Sequence, residues 1–394
     1  MGYALLQLCG GQLTPNILAG LGLLQAGALE QHVAVHTETP ASDSAAESLT
    51  HLLAEVAASQ DPAELPQFVK EPVDNHAEAS YAMAQACIAE SPAGTRWVLN
   101  ATGATKPMSL GLVLLARHPQ VEAVIYLDLD LGQWRSLGID PELRPRDQPL
   151  AHSHPELAAW LAKAQLDSVP IHTLLQSQLG RYQLDEAKSA FHSNAAHPGV
   201  DVMGWLRKAS QQRSSFRASA PNAARLPPVA SEGDAFECWI AHLLLALGVH
   251  TVRWGVELRR PNGQAELEFD IAACHGSRLL CLDVKIDRPD VAGKSAQLRV
   301  ALETTRRLGG LSATCGVLRP NWPAATTLRD TASDMRVLLL DRQGFTQLPS
   351  QLQRLLQLSW TPAQAELAEQ LQRWLQGRQE RTPQGRSVFA HGPT

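Results

Sequence analysis

Short apolar runs alternate with longer amphipathic stretches through roughly the first third of the chain. "YALLQLCG" predicts a strand, and "PNILAGLGLLQA" a helix opened by Pro15 and Asn16. "HVAVHTE" predicts a second strand, followed by a helix from Ser42 to about Ser59. "QFVKEP" predicts a third, followed by the helix "HAEASYAMAQACIAE". "TRWVLNATG" predicts a fourth strand, with a helix over Lys106 to Arg117, and "VEAVIYLDLD" a fifth, against which "GQWRSLG" can hairpin. Strands alternating with helices build a parallel, Rossmann-like sheet, and such sheets bind ligands beyond the carboxyl ends of their strands.

Between Pro145 and Ala230 the alternation breaks. "HPELAAWLAKAQ" and "YQLDEAKSAFHS" predict helices, and residues 211–233, rich in Ser, Pro, Ala and Arg, read as a linker. A second folded region opens with the helix "DAFECWIAHLLLALGV", which ends at Gly248. Three strand signals follow: "HTVRWGVELRR", "AELEFDIAACHG" and "SRLLCLDVKID". Turns at Pro261–Gly263 and His275–Gly276 divide them. A helix over Lys294 to Leu308, the strand "ATCGVLRP", another helix and the strand "MRVLLLD" complete it. The tail from about Gly377 is polar and expected to fray.

Composition narrows the picture. The chain has 394 residues and a net charge of -5, so contact with nucleic acid would need a local basic patch. The six cysteines, Cys9, Cys87, Cys238, Cys274, Cys281 and Cys315, form no C-x-x-C pair and mostly sit in apolar runs, as buried thiols of a reducing compartment do. The N-terminus is too short and uncharged for a signal peptide, and no apolar run is long enough to span a bilayer. A soluble, cytoplasmic protein with no membrane partner is expected.

The candidate chemistry of the second half lies between Glu237 and Lys285. In "LLCLDVKID", Leu280, Leu282, Val284 and Ile286 share one face of a strand, and Cys281, Asp283, Lys285 and Asp287 the other. Burying a carboxylate and an ammonium unpaired on so apolar a strand is costly. A hairpin through His275–Gly276 would bring Asp270 close enough to Asp283 to share a divalent cation. Glu237 lies on the helix face of Ile240, Ala241 and Leu244, an expensive place for an unused carboxylate. The plain alternative is a salt bridge on an edge strand.

Glu237, Asp270 and Asp283-Val284-Lys285 together resemble the PD-(D/E)xK nuclease core of the restriction-endonuclease superfamily, with Asp283 where the usual motif has Glu. The resemblance implies Mn²⁺ or Mg²⁺ held by Asp270, Asp283 and the main-chain carbonyl of Val284. It gives Lys285 the role of orienting water or stabilising developing charge, and makes Gln297 an auxiliary contact. Arg253, Arg259, Arg260, Lys294 and Arg299 are candidate guides for a nucleic-acid backbone, or simply solvated charges.

Two loops of the first half also carry candidate chemistry. In "CGGQLTPN", Gly10 and Gly11 allow close backbone approach, and Gln12, Thr14 and Asn16 offer hydrogen bonds at a helix N-terminus. "LNATGATKPMSLG" follows a later strand but fits neither G-x-x-x-x-G-K-[ST] nor G-x-G-x-x-G, so ATP and NAD are not supported. Plain helix-capping chemistry would also produce such loops.

Gly-Gly-Gln-x-x-Pro-Asn and Asn-x-Thr-Gly-x-Thr-Lys-x-Met resemble the CARF domain of type III CRISPR systems, with Ala104 where the family has a second glycine. The resemblance implies a homodimeric sensor of cyclic oligoadenylates, most readily cyclic tetra-adenylate. Gly10, Gly11, Gln12, Asn16, Thr102, Gly103, Thr105, Lys106 and Met108 would bind the activator. The expected fold is α/β: an N-terminal Rossmann-like CARF domain with a mainly parallel sheet, and a C-terminal restriction-endonuclease-like domain with a mixed sheet. The expected segments are a sensor (1–145), a helical connector and linker (146–230), a nuclease (231–376) and a tail (377–394). The implied activity is activator-dependent hydrolysis of single-stranded DNA or RNA, or nicking of duplex DNA. The rivals are a non-enzymatic sensor or regulator with a degenerate nuclease domain, and a self-limiting enzyme whose CARF domain also cleaves its own cyclic activator.

Overall fold

The computed structural model describes residues 2–10, 13–60, 65–103, 105–129, 131–140, 142, 144–179, 183–185, 189–192, 200–211, 216–221, 231–259, 262, 264–286, 294–309, 313–322 and 325–381. The chain divides into two compact units, Met1–Tyr182 with Gly309–Ser312, and Gln183–Leu308 with Ala313–Thr394.

The N-terminal unit is built on one sheet of order β3-β2-β1-β4-β5-β6-β7. Its strands are β1 (Tyr3–Cys9), β2 (Leu29–His36), β3 (Gln67–Pro72), β4 (Arg96–Asn100), β5 (Val121–Asp128), β6 (Gln133–Ile139) and β7 (Pro145–Pro149). The first five run parallel, β6 returns antiparallel to β5, and β7 pairs antiparallel to β6. β1 is buried along its whole length, as expected of a central parallel strand with both faces covered. The crossover helices are α1 (Thr14–Gln25), α2 (Pro40–Gln60), α3 (Ala77–Glu90) and α4 (Lys106–Leu114). After β7 come α5 (Leu150–Ser153), α6 (Pro155–Ala162) and α7 (Ile171–Leu179), which pack on this unit against β6, α1 and α2.

In the C-terminal unit the sheet order is β14-β13-β12-β11-β10-β8, with β9 also paired to β10. Its strands are β8 (Gln183–Asp185), β9 (Ser189–His192), β10 (Thr251–Arg259), β11 (Ala265–His275), β12 (Arg278–Val284), β13 (Thr314–Leu318) and β14 (Val337–Leu340). β10, β11 and β12 form an antiparallel meander, and β12, β13 and β14 run parallel, so the sheet is mixed as expected. The helices are α8 (Val202–Gln211), α9 (Phe216–Ser219), α10 (Glu232–Ala246), α11 (Lys294–Gly309), α12 (Thr326–Asp334), α13 (Leu348–Leu356) and α14 (Pro362–Arg381). Ser231 and Asp234 start α10 with a capping box, each side chain bonding the other's backbone N–H. Phe236, Ile240, Leu243 and Leu244 of α10 then pack with Leu280, Leu282 and Val284 of β12 in the main core. Leu280, Leu282 and Val284 of the apolar face read from "LLCLDVKID" are thus buried in the core that α10 also lines.

One expected element differs. "YQLDEAKSAFHS" reads as a helix, but Gln183–Asp185 and Ser189–His192 are short strands on the outer edge of β10. The open backbone groups of β10 offer pairing that outweighs a weak helical preference. Cys9, Cys238, Cys274, Cys281 and Cys315 are buried free thiols; Cys87 is partly buried. Burial pushes the thiols of Cys9 and Cys238 up to about 12, so both are packing groups rather than nucleophiles. Among the described residues no helix is long and apolar enough to cross a membrane. Arg260, Pro261, Gly263 and the residues from 382 onward lie outside those described.

Candidate functional site

Each unit carries one candidate site. In the N-terminal unit it lies where the carboxyl ends of β1 to β4 meet the following helices. Gly10 and Gly103 touch there: a Cβ on Gly10 would sit 2.1 Å from the Gly103 carbonyl oxygen, and one on Gly103 would sit 2.3 Å from that of Leu8. Only glycine fits at either position.

Side chains lace the same strand ends together. Ser42 donates to the Cys9 carbonyl at 2.6 Å, and the Thr105 hydroxyl donates to Asn75 at 2.5 Å. Thr102 accepts from the Leu127 N–H at 2.9 Å. Loops following all of the first four strands thus form one continuous rim.

Beneath the rim runs a buried amide network. Asn100 Nδ2 donates to Gln7 Oε1 at 2.9 Å and to Asn16 Oδ1 at 3.1 Å. Its Oδ1 accepts from the Thr102 N–H and hydroxyl at 3.0 and 2.7 Å. Asn16 Nδ2 donates to the Leu8 carbonyl at 2.9 Å. Gln7 Nε2 lies 3.0 Å from His32 Nε2. An amide N–H₂ only donates, so His32 Nε2 accepts and the ring proton sits on Nδ1. Burial drives that imidazole down to about 3, so it stays neutral.

The sequence-derived contacts therefore separate. Asn16 is fully buried with its amide engaged inside the protein, and Met108 is buried at the start of α4. Gly10 shapes the backbone. Thr102, Gly103, Thr105 and Lys106 stand on the rim, and Lys106 is exposed with no ion pair to a described residue. Gly11, Gln12 and Ala104 lie outside the described residues. Gln7 and His32 were not legible as site residues, because a lone Gln or His within an apolar strand carries no signal of its partner. Replacing Asn100 by Ala strips both rim and floor. Each buried polar group left unpaired costs about 1–3 kcal/mol. The variant is expected to show an early melting transition of the N-terminal unit in calorimetry.

In the C-terminal unit the site is a fork between β11 and β12. Their last ladder pair is Ile271 with Leu282. The next residues, Asp270 and Asp283, face each other where the strands part. β12 then continues against β13, with the Lys285 N–H bonded to the Leu318 carbonyl at 3.1 Å.

One oxygen of each carboxylate is held by a protein donor. The Val284 N–H donates to Asp270 Oδ2 at 2.5 Å, and Arg319 Nη2 to Asp283 Oδ2 at 2.6 Å. The Trp254 indole N–H donates to Glu237 Oε2 at 3.0 Å. Asp270 is buried, and its carboxyl is pushed well above the usual range, first by desolvation and then by the charges of Glu237 and Asp283. Lys285 is exposed beside the fork, and Gln297 is half-buried in the first turn of α11. Glu237, Asp270, Asp283 and Lys285 are thus gathered at one end of the sheet.

The donor chemistry fits a hard divalent cation: crowded carboxylates, one of them made protonation-prone by burial and by its acidic neighbours. Among the described residues no three His, Cys, Asp or Glu side chains already stand in coordinating geometry. Arg319 is the residue at the fork that the sequence reading missed. Its signal was its place just beyond the strand that pairs with Asp283-Val284. Arg253, expected as a possible surface guide, is buried, and Arg259 pairs with Glu257 at 3.2 Å.

A Rossmann-like parallel sheet followed by a mixed sheet defines the class of fold. Two solved structures share it. One is Can2 from Sulfobacillus thermosulfidooxidans in complex with cyclic tetra-adenylate, with a TM-score of 0.54 and 13% identity over 90% of this chain and 100% of that one. The other is protein VC1899 from Vibrio cholerae, with a TM-score of 0.57 and 12% identity over 99% of each chain. At these identities the likeness is one of fold. No family model matches the chain, and no curated protein matches it in sequence.

Proposed function

We propose that this protein is a CARF-type effector of a type III CRISPR system: a nuclease switched on by a cyclic oligoadenylate, most readily cyclic tetra-adenylate. The observation that carries the catalytic half is the fork, where Asp270 and Asp283 face each other beside Glu237 and Lys285 on a sheet otherwise built to exclude water. The sensor half is supported by the glycine-shaped rim and by the cyclic tetra-adenylate held by the Can2 structure of like fold.

In this reading two chains pair through their N-terminal units, and the ring-shaped activator contacts the same rim on each. Lys106 meets its phosphates; Thr102 and Thr105 present hydroxyls, and the bare backbone at Gly103 allows close approach. Asn100 and Asn16 hold that backbone in place from below. Binding acts as a switch only because the ligand prefers the cutting-competent arrangement.

At the fork, Asp270, Asp283 and the Val284 carbonyl would hold Mn²⁺ or Mg²⁺. When bound, that ion supplies an activated water and offsets charge on the scissile phosphate. Trp254 and the Val284 N–H keep Glu237 and Asp270 turned toward the site. Lys285, exposed next to them, orients the attacking water or meets the charge that develops on the phosphate. The substrate is single-stranded DNA or RNA, or duplex DNA that is nicked.

A reciprocal pair of variants tests both halves. Lys285→Ala is expected to lower cleavage at least 100-fold while leaving activator affinity unchanged. Lys106→Ala is expected to weaken activator binding about tenfold and leave Mn²⁺ binding at the fork intact. If both variants lose both properties, the assignment of separate sites fails. The regulator reading has one observation in its favour, the Arg319 bond that occupies an oxygen of Asp283. Calorimetry showing no divalent-metal binding by the wild type would select it.

A further inference from the structure

Arg319 follows β13 and turns its side chain back across the sheet end. Its backbone is fixed: the N–H donates to the Leu340 carbonyl at 2.9 Å, and its carbonyl accepts from the Trp322 N–H at 3.0 Å. Its side chain is almost fully buried, at 4% exposure. The guanidinium spreads over three acceptors. Nη1 donates to the carbonyls of Asp283 at 2.9 Å and Leu318 at 3.0 Å, while Nη2 donates to Asp283 Oδ2 at 2.6 Å. The Trp322 ring lies against it, with the centroid 5.6 Å from Cζ.

These contacts do two things. They clip the ends of β12 and β13 together through main-chain oxygens. They also fix the Asp283 side chain by one oxygen, at the point where β12 has already left β11. A surface arginine pair would do neither, because its side chain would be free to turn away. Here the planar fork, the two carbonyls and the Trp322 ring leave the guanidinium one place to sit.

Building on the metal-site reading above, we propose that Arg319 is the positioning residue of the fork, holding Asp283 in the orientation in which it and Asp270 receive a divalent cation. It touches neither substrate nor metal and acts through Asp283. Its positive charge also lets Asp283 sit beside the buried carboxyl of Asp270 before any metal arrives.

Lysine keeps that charge but has a single compact nitrogen on a flexible stem, so it cannot reproduce the fork. The charge of the cluster is then unchanged, and only the orientation of Asp283 is lost.

The test is Mn²⁺ titration calorimetry on the wild type, Arg319→Lys, Asp283→Asn and the double variant, with near-ultraviolet circular dichroism as the check on folding. Arg319→Lys is expected to weaken Mn²⁺ binding about tenfold. Added to Asp283→Asn, it is expected to cost nothing further, since both changes act on the same ligand. Should Arg319→Lys not fold, Arg319→Gln, which keeps a planar donor group, is measured in its place with the same expectation.

Wild-type affinity in a folded Arg319 variant would overturn the proposal and leave the metal site standing. Independent, additive losses in the double variant would also overturn it, since Arg319 would then act elsewhere. Absence of Mn²⁺ binding by the wild type would overturn the metal-site reading, and this proposal with it.

Discussion

Asp270→Asn is expected to abolish cleavage and, at the same time, to make the metal-free protein more stable. The two effects share one cause. Asp270 is buried beside Glu237 and Asp283, and its carboxyl is held well above the usual range by desolvation first and by those two charges next. A carboxyl raised in the folded state binds its proton more tightly there than in the unfolded chain. Its contribution to stability is therefore present at low pH and is lost as pH rises through its folded value. At neutral pH the metal-free protein bears that cost, and Asn removes it.

The amide oxygen of Asn can still accept the Val284 N–H that Asp270 accepts at 2.5 Å, so the local backbone is preserved. Relief of about 1–2 kcal/mol of charge crowding raises the melting temperature by roughly 2–8 °C in a unit of this size. The gain should shrink toward acid pH. Saturating Mn²⁺ should reverse the order, because the ion stabilises only the protein that binds it. Scanning calorimetry of both proteins at several pH values, with and without Mn²⁺, reads all of this. A variant no more stable than the wild type at neutral pH would mean that the three carboxylates do not crowd one another.

Gly10→Ala is expected to have the largest effect on the sensor. The added Cβ would lie 2.1 Å from the Gly103 carbonyl oxygen, a backbone atom that no rotamer change can move. The two loops must part, at a cost of about 1–3 kcal/mol for forced overpacking. Parting them also moves the Thr102 and Lys106 backbone off the rim. Activator affinity is expected to fall at least tenfold, while Mn²⁺ binding stays at the wild-type level. Isothermal titration with cyclic tetra-adenylate measures the first, and titration with Mn²⁺ the second. Wild-type activator affinity would show that the contact between these glycines plays no part in binding.

Much of this was legible in the chain. The alternation of strand and helix signals over the first five strands is the parallel sheet itself, because burial on both faces leaves continuous apolar runs such as "YALLQLC". The period-two pattern of "LLCLDVKID" correctly separates Leu280, Leu282 and Val284, buried in the main core, from Asp283 on the other face. The hairpin at His275–Gly276 fixes the register that sets Asp270 opposite Asp283, and it could be read because the turn is short.

What could not be read depends on contacts between distant segments. β8 and β9 are strands only because β10 offers an open edge. Asn16 reads as a ligand contact from its place at a helix start, yet its amide is engaged by Leu8 and Asn100, the latter far along the chain. In the sequence, Trp254 is an aromatic within a predicted strand and Arg319 a cation at a strand end, with no sign of their partners. Their roles appear only when the fold brings them to Glu237 and Asp283.

The central claim joins a cyclic-nucleotide switch to a metal-dependent cut, and one assay addresses both. Purified protein is mixed with labelled single-stranded DNA, RNA and supercoiled plasmid in Mn²⁺, with and without each cyclic oligoadenylate. The account predicts cleavage of at least one substrate that requires both Mn²⁺ and a cyclic oligoadenylate and is lost in Lys285→Ala. No cleavage under any combination, or cleavage that persists in Lys285→Ala, would contradict it.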